Sequence, residues 1–498
     1  MKSFLKKLDW LELVSFCYLW IPIGIFISTW IKLPIALISI ASLLISFFII
    51  IKRNLIKGEL CKFSLSKEFC FFLLLTIAIT FYICFLSGIG GHFGQKSDWM
   101  KHNAILQSMI QSKWPVRFNY NGENGILCYY IGYYILPALM GKAFGFDASA
   151  TFMLFQTVMG IVLSTLMLYR HFNCQKPYLL LFILITIFLF STFSQSITAL
   201  YRFIAPDDAW DAIHFLSKSN IVQYSSILTS LCWVTPQLVP TMIAVSLILE
   251  NRNKYSVWIF IGLPLILFST FTFVGFVVIL LVTWCFDIFS GNVKNIVKET
   301  FKTELYYTIV GGGVLVLYIC ANVLQQKPAS ADMGLLFLKW IGLKKISGLI
   351  LFEFAWFLWD IILGKDFILR HRLIFSSTML LAVLPFFKMG WANDLCMRSS
   401  IPALLFICYG VCKVLVVSLE KEELRYAKML VLFILIAGVP NLFFELTTNI
   451  QKCKNHDFKR NYFLADENYL FNDERLRFQY SVWEPNKITA FIVKGNEK

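Results

Sequence analysis
Three polar stretches interrupt an otherwise apolar chain, and each carries residues whose types and spacing suit chemistry. The first runs from Gly90 through Lys96-Ser97-Asp98-Trp99-Met100-Lys101-His102. Asp98 and His102 are four residues apart, so on a helix they share one face. Such a pair suits proton removal with an orienting partner, or the binding of a polar substrate. As a plain structural feature, Asp98 would instead cap the helix that follows. The second stretch, Tyr201-Arg202-Phe203-Ile204-Ala205-Pro206-Asp207-Asp208-Ala209-Trp210-Asp211-Ala212-Ile213-His214, gathers three carboxylates and a histidine. These suit a divalent cation or substrate hydroxyls, while an interfacial helix capped by Asp207 accounts for them better. The third stretch holds Asn393-Asp394-Leu395-Cys396-Met397-Arg398-Ser399-Ser400 just before Pro402. Arg398 beside two hydroxyls and the start of a helix suits a phosphate, because its guanidinium fork matches the anion and a helix start offers free N–H groups. The alternative is an Arg398–Asp394 surface pair at i, i+4, which contributes little.

The elements that position these residues are membrane helices. Of 498 residues, 58% are hydrophobic and 15% charged, and the mean hydropathy is +0.68. Soluble domains carry about 25% charged residues. Apolar runs of about 20 residues recur, the length that spans hydrocarbon as α-helix, whereas barrel strands would be short and alternating. The formal charge of +15 sits in short loops, with no basic stripe interleaved with aromatics, so nucleic acid is not the partner. Of the thirteen Cys, most lie inside apolar runs, as do Cys17, Cys84, Cys285, Cys320 and Cys408, and no CxxC pair occurs. Lys2, Lys6 and Lys7 resemble a signal n-region, but the run Trp10 to Thr29 is long for a cleaved segment and reads as a retained first helix.

Lys and Arg in the loops orient the runs, because cytoplasmic loops carry the positive excess. Thirteen crossings are expected, over about 9–29, 33–52, 69–87, 149–169, 178–195, 236–250, 256–270, 271–288, 306–324, 346–363, 373–390, 402–419 and 429–447. The N-terminus is then inside and the C-terminus outside, as in a bacterial cytoplasmic membrane. Segment 127–146 is also apolar, yet a crossing there would invert every later basic loop. Its Tyr129, Tyr130, Tyr133, Tyr134 and Pro137 make it a re-entrant or interfacial helix instead. The bundle occupies 1–447, with outer loops 88–126, 196–235, 325–345 and 391–401, and 448–498 forms a small polar outer tail. All three polar stretches fall on the outer face. Two acids, Glu353 and Asp360, fall within expected spans, and Glu353 is placed to pair with Lys388.

The long first loop with Asp98, the amphipathic stretch ending at Trp114-Pro115, the aromatic run Tyr129-Tyr130-Ile131-Gly132-Tyr133-Tyr134, Trp233-Val234-Thr235-Pro236-Gln237 at a helix start, and Asn393 to Arg398 ahead of Pro402 form one pattern. In it the chain resembles the GT-C superfamily of membrane glycosyltransferases, whose fold is an all-α polytopic bundle. The resemblance implies transfer of a sugar from a polyprenyl-phosphate donor to a glycan or lipid acceptor. It implies Asp98 as general base and Arg398 on the departing phosphate, with Lys101, His102 or Arg202 assisting and Asp207, Asp208 and Asp394 among the substrate-binding residues. A divalent cation, magnesium or manganese, held by Asp98 with Asp207 or Asp208 is left open. No Trp-Trp-Asp motif is present, so the resemblance does not extend to protein N-glycosylation. A transporter or flippase would place charges at the midplane and show internal repeats, and an O-antigen polymerase or ligase would carry a large late loop rich in Arg and His. Here the charges gather at one face and the long loops come early.

Overall fold
In hydrocarbon every backbone N–H and C=O must find its partner within the segment, and the α-helix does this for each apolar run. The computed structural model describes residues 8–55, 66–204, 224–325, 336–337, 371–389, 393–420, 425–454, 470 and 474–495. It opens on a helical hairpin, α1 (Trp10–Trp30) and α2 (Leu33–Ile50). Asp9 caps α1 by accepting the Glu12 N–H at 3.1 Å, and Pro34 sits in the first turn of α2, where a missing N–H costs nothing. Next come α3 (Lys67–Leu86), the shorter amphipathic α4 (Trp99–Gln111), the strands β1 (Arg117–Tyr120) and β2 (Glu123–Leu127), and α5 (Ile135–Phe144). The bundle continues through α6 (Phe146–His171), α7 (Leu179–Leu189), α8 (Phe193–Ile204) and α9 (Ile227–Glu250). The broken pair α10 (Tyr255–Gly262) and α11 (Leu265–Phe268) follows, interrupted at Pro264. Then come α12 (Thr270–Ser290), α13 (Val293–Thr300) and α14 (Thr303–Gln325). Strand β3 (Leu336–Phe337) pairs with a later strand that follows α15 (Arg372–Val383), namely β4 (Phe387–Lys388). The chain closes with α16 (Asp394–Ser399), α17 (Ile401–Glu420), α18 (Arg425–Lys454), α19 (Glu474–Tyr480), β5 (Ser481–Trp483) and α20 (Lys487–Ile492).

Among the described residues nine helices are long and apolar enough to cross a membrane, and three further apolar helices are shorter. The chain is a helical, polytopic membrane protein. The expected spans over 178–195, 256–270 and 373–390 fall on the three shorter helices, and nine others fall on the long ones. The span over 346–363, with Glu353 and Asp360, lies outside the described residues.

Ion pairs show which helix ends meet. Arg170, at the end of α6, reaches Asp9 at 2.8 Å and Glu250 at 3.3 Å, so the start of α1 and the ends of α6 and α9 share one end of the bundle. Arg53 to Glu304 at 2.7 Å and Arg252 to Asp287 at 2.8 Å add the ends of α2 and α12 and the start of α14. Phe69 at the start of α3 packs on Tyr169 at 5.8 Å between ring centres. The chain therefore leaves this basic end along α3 and returns along α6. Between them, 127–146 is not one helix: a 3-10 turn over Gly132–Tyr134 leads into α5, whose ten residues rise only about 15 Å.

Two boundaries differ from those expected. The loop placed at 196–235 is shorter, because α8 runs to Ile204 and α9 starts at Ile227. Ser226 caps α9 through its hydroxyl at 3.0 Å from the Thr229 N–H, so Trp233 to Gln237 lies inside the helix, where a kink at Val234 accommodates Pro236. The described end of the tail packs onto the bundle. Strand β5 pairs antiparallel with β2 to give a sheet ordered β1–β2–β5, and Lys32 N–H donates to the Ile492 carbonyl at 2.9 Å. Val482, Ile492 and Val493 are buried there, so apolar area draws the segment onto the bundle.

Candidate functional site
The first polar stretch is folded back at Gly88, which has φ +79°, and a Cβ there would collide with the Gly94 carbonyl. Gln95 donates to the Gly88 carbonyl at 3.1 Å and accepts from Asn103 at 3.0 Å, tying this turn to α4. The break in α9 supplies the other anchor. Pro236 has no N–H to give the Cys232 carbonyl four residues earlier, and the Trp99 indole N–H takes that acceptor at 2.9 Å. One residue on, the Trp233 carbonyl meets His102 Nε2 at 3.2 Å. A carbonyl only accepts, so Nε2 carries the proton and Nδ1 accepts from the Tyr134 hydroxyl. Burial, joined by the Lys101 ammonium, outweighs the pull of Asp98 and drives the His102 pKa down to about 3. His102 is thus a neutral, wholly buried pin between α4 and α9.

Asp98 occupies the N-cap position of α4, but its side chain makes no capping bond. Its carboxylate pairs with Lys101 one turn on and stays about one-third exposed, so the edge remains open. Burial pushes this carboxyl up, but the Lys101 ammonium, with a smaller pull from Arg398, outweighs it and holds it below the usual range. Asp98 is ionised at neutral pH. Arg398, from the third stretch, is the distant partner in that balance. It is only 5% exposed, which excludes a surface pair with Asp394, although Nη2 does meet Asp394 at 2.9 Å. Nη1 donates to the Tyr130 hydroxyl. Nε is buried without a hydrogen-bond partner among the described residues. Gln237 also donates to the Tyr130 hydroxyl at 3.3 Å, and Thr272 donates to the Arg398 carbonyl at 3.3 Å. A Cβ at Gly275 would collide with the Ser399 carbonyl, so α12 and α16 pack backbone to backbone and fix Arg398 in depth. The expected hydroxyl pair does not face a ligand: Ser399 donates to the Phe271 carbonyl and Ser400 to that of Met397, each at 2.8 Å.

The chain matches no family model, no curated protein and no solved structure. Its site therefore rests on its own geometry. Asp98 pairs with Lys101 and Asp394 with Arg398, and the charge of Arg398 reaches both Asp98 and His102. Arg202 lies on α8, and Asp207 and Asp208 fall outside the described residues. Among the described residues no three His, Cys, Asp or Glu side chains group as cation ligands.

Two participants, Tyr480 and Glu445, were not singled out in the sequence. Tyr129 packs against Tyr130 and, at 4.7 Å between ring centres, against Tyr480 from the tail. Lys96 forms a buried ion pair with Glu445 of α18 at 2.8 Å. Glu445 had a visible signal: Asn441, Glu445 and Asn449 repeat every four residues along an apolar helix, which lines them on one face. Tyr480 had none, because a three-residue strand beside it has no periodicity to read.

Proposed function
We propose that the chain is an integral membrane glycosyltransferase of the GT-C type. It moves a sugar from a polyprenyl-phosphate donor to a glycan or lipid acceptor at the outer face of a bacterial cytoplasmic membrane. One observation carries this reading: the charge of Arg398 reaches Asp98, so an open, ionised carboxylate and a buried guanidinium that keeps an unused N–H share one electrostatic neighbourhood. The chemistry asks for that pair. The acceptor hydroxyl gives its proton to Asp98 as its oxygen attacks the anomeric carbon. The sugar–phosphate C–O bond breaks, and the electron pair goes to the phosphate oxygen, whose charge Arg398 stabilises. A carboxyl held low is a weak base, so Lys101 has a part in timing. A bound phosphate draws its ammonium away from Asp98 and raises the basicity of Asp98 as the donor arrives.

The basic end of the bundle faces the cytoplasm by the positive-inside rule. This sets the N-terminus inside, the tail outside, and α5 as the interfacial or re-entrant element beside the site. The test is direct: purified protein in lipid nanodiscs, given a panel of polyprenyl-phosphate sugars and candidate acceptors, transfers sugar from at least one donor. No release of polyprenyl phosphate from any of them would count against the assignment. Transport is the second reading, favoured by the buried Lys96–Glu445 pair. It predicts solute flux into proteoliposomes with no glycosyl transfer.

A further inference from the structure
The segment that carries Asp98 is clamped at both ends and open in the middle. Trp99 and His102 pin it to the carbonyls of Cys232 and Trp233 on α9. On the other side of Asp98 stands Lys96, 2% exposed, with its Nζ 2.8 Å from Glu445 Oε2 and 5.8 and 5.9 Å from the ring centres of Trp233 and Phe444. Glu445, 4% exposed, also accepts the Thr229 hydroxyl at 2.9 Å. The same face of α18 grips the end of α3 and then the first loop, one and two turns on. Asn449 donates to the Leu86 carbonyl at 3.1 Å, and Cys453 Sγ accepts the Gly94 N–H at 2.9 Å. Trp233 serves both clamps, its ring against Lys96 and its carbonyl against His102.

We infer that the Lys96–Glu445 ion pair is a positioning device for Asp98, fixing the depth at which α18 and α9 hold the start of α4. Two apolar side chains would bring loop and helix together equally well, because desolvation offsets most of the attraction in a buried pair. What the pair adds is a single register: one ammonium, one carboxylate, one place for Lys96. From Lys96 to Asp98 is two residues, so a slip there moves the carboxylate directly. The role assigned to Asp98 rests on the glycosyltransferase reading above, and the clamp itself does not.

The experiment uses the full-length protein in nanodiscs and the variants Glu445→Gln, Lys96→Met, Lys96→Arg and the swap Lys96→Glu/Glu445→Lys. Glu445→Gln and Lys96→Met are expected to lower kcat about 10²-fold, the cost of a misplacement near 1 Å. KM for the polyprenyl-phosphate donor stays unchanged, because Arg398 is untouched. Lys96→Arg, and in part the swap, restore kcat. In parallel, amide hydrogen exchange over 95–103 accelerates in the two neutralised variants and returns toward wild type in the swap. Wild-type kcat in both neutralised variants, or unchanged exchange over 95–103, overturns the inference. If the neutralised variants do not fold, Lys96→Arg and the swap decide alone: kcat and protection near wild type in Lys96→Arg and partly kept in the swap support the pair, and loss of either in both variants overturns it. If the wild type transfers no sugar, exchange over 95–103 still decides the clamp, and only the glycosyltransferase reading falls.

Discussion
Asp98 and His102 stand one helical turn apart on α4, yet burial sends them to different tasks. His102 has both ring nitrogens engaged and its pKa near 3. Between about pH 3 and the ordinary value near 6.5 the unfolded chain binds the extra proton, so the stability from neutral His102 is complete above 6.5 and is lost as pH falls toward 3. Asp98 adds to the same slope at lower pH, because its depressed carboxyl stabilises the fold only above its unfolded pKa. Thermal melts at pH 5 and pH 7.5 check this: the acid-induced drop is expected to be smaller in His102→Gln than in wild type. Arg398 is the other residue on which burial decides. Arg398→Lys keeps the charge but loses the fork that meets Tyr130 and Asp394 together, so donor KM and turnover are both expected to suffer by 10-fold or more, on the order of a charged hydrogen bond. Steady-state kinetics on donor concentration measures it. From the sequence these residues were legible as candidates by type, but their depth was not. Spacing cannot tell an exposed i, i+4 pair from one buried at 5%.

Among the elements, α9 is the one that makes the site, through a defect. A proline near the start of an apolar run is a helix-start signal, which is why Pro236 reads as one in the sequence. The competing signal was Ser226 with its hydroxyl three residues ahead of the Thr229 N–H, and the cap prevails because the bond that Pro236 costs is supplied by α4. This gives a coupled prediction. Trp99→Phe keeps the ring but leaves the Cys232 carbonyl buried and unpaired, at a cost of about 1–3 kcal/mol. Pro236→Ala restores a helical N–H to that carbonyl, so in the Pro236→Ala background Trp99→Phe is expected to cost much less. Denaturation of the four proteins in detergent gives the interaction energy, and strict additivity would show that the two groups do not share the acceptor. The tail illustrates the opposite case. Its attachment through β5, Asn322 and Gln325 depends on a few backbone bonds between distant segments, which no local pattern announces.

Across the whole molecule, the helical, polytopic class was the most legible feature, because long apolar runs recur along the chain. The pairing of Arg170 with Asp9 brings α6 back to the end where α1 begins. In a cysteine-depleted background, single cysteines at Ser97 and Lys487 are expected to react with an impermeant thiol reagent on intact cells, and one at Ser290 only after permeabilisation; all three positions are exposed. Labelling of Ser290 from outside would reverse the bundle and place the site in the cytoplasm. What the sequence could not supply was the electrostatic neighbourhood that Asp98 shares with Arg398, because it depends on α12 packing against α16 and on the kink in α9. That neighbourhood is where the function is claimed, and Asp98→Asn is its sharpest probe. The amide is nearly isosteric and keeps an acceptor oxygen but cannot take a proton. At matched protein level, sugar transfer by Asp98→Asn is expected to fall about 10²- to 10⁴-fold while binding of the polyprenyl-phosphate donor persists. Transfer at the wild-type rate would contradict Asp98 as the base and, with it, the glycosyltransferase account of this site.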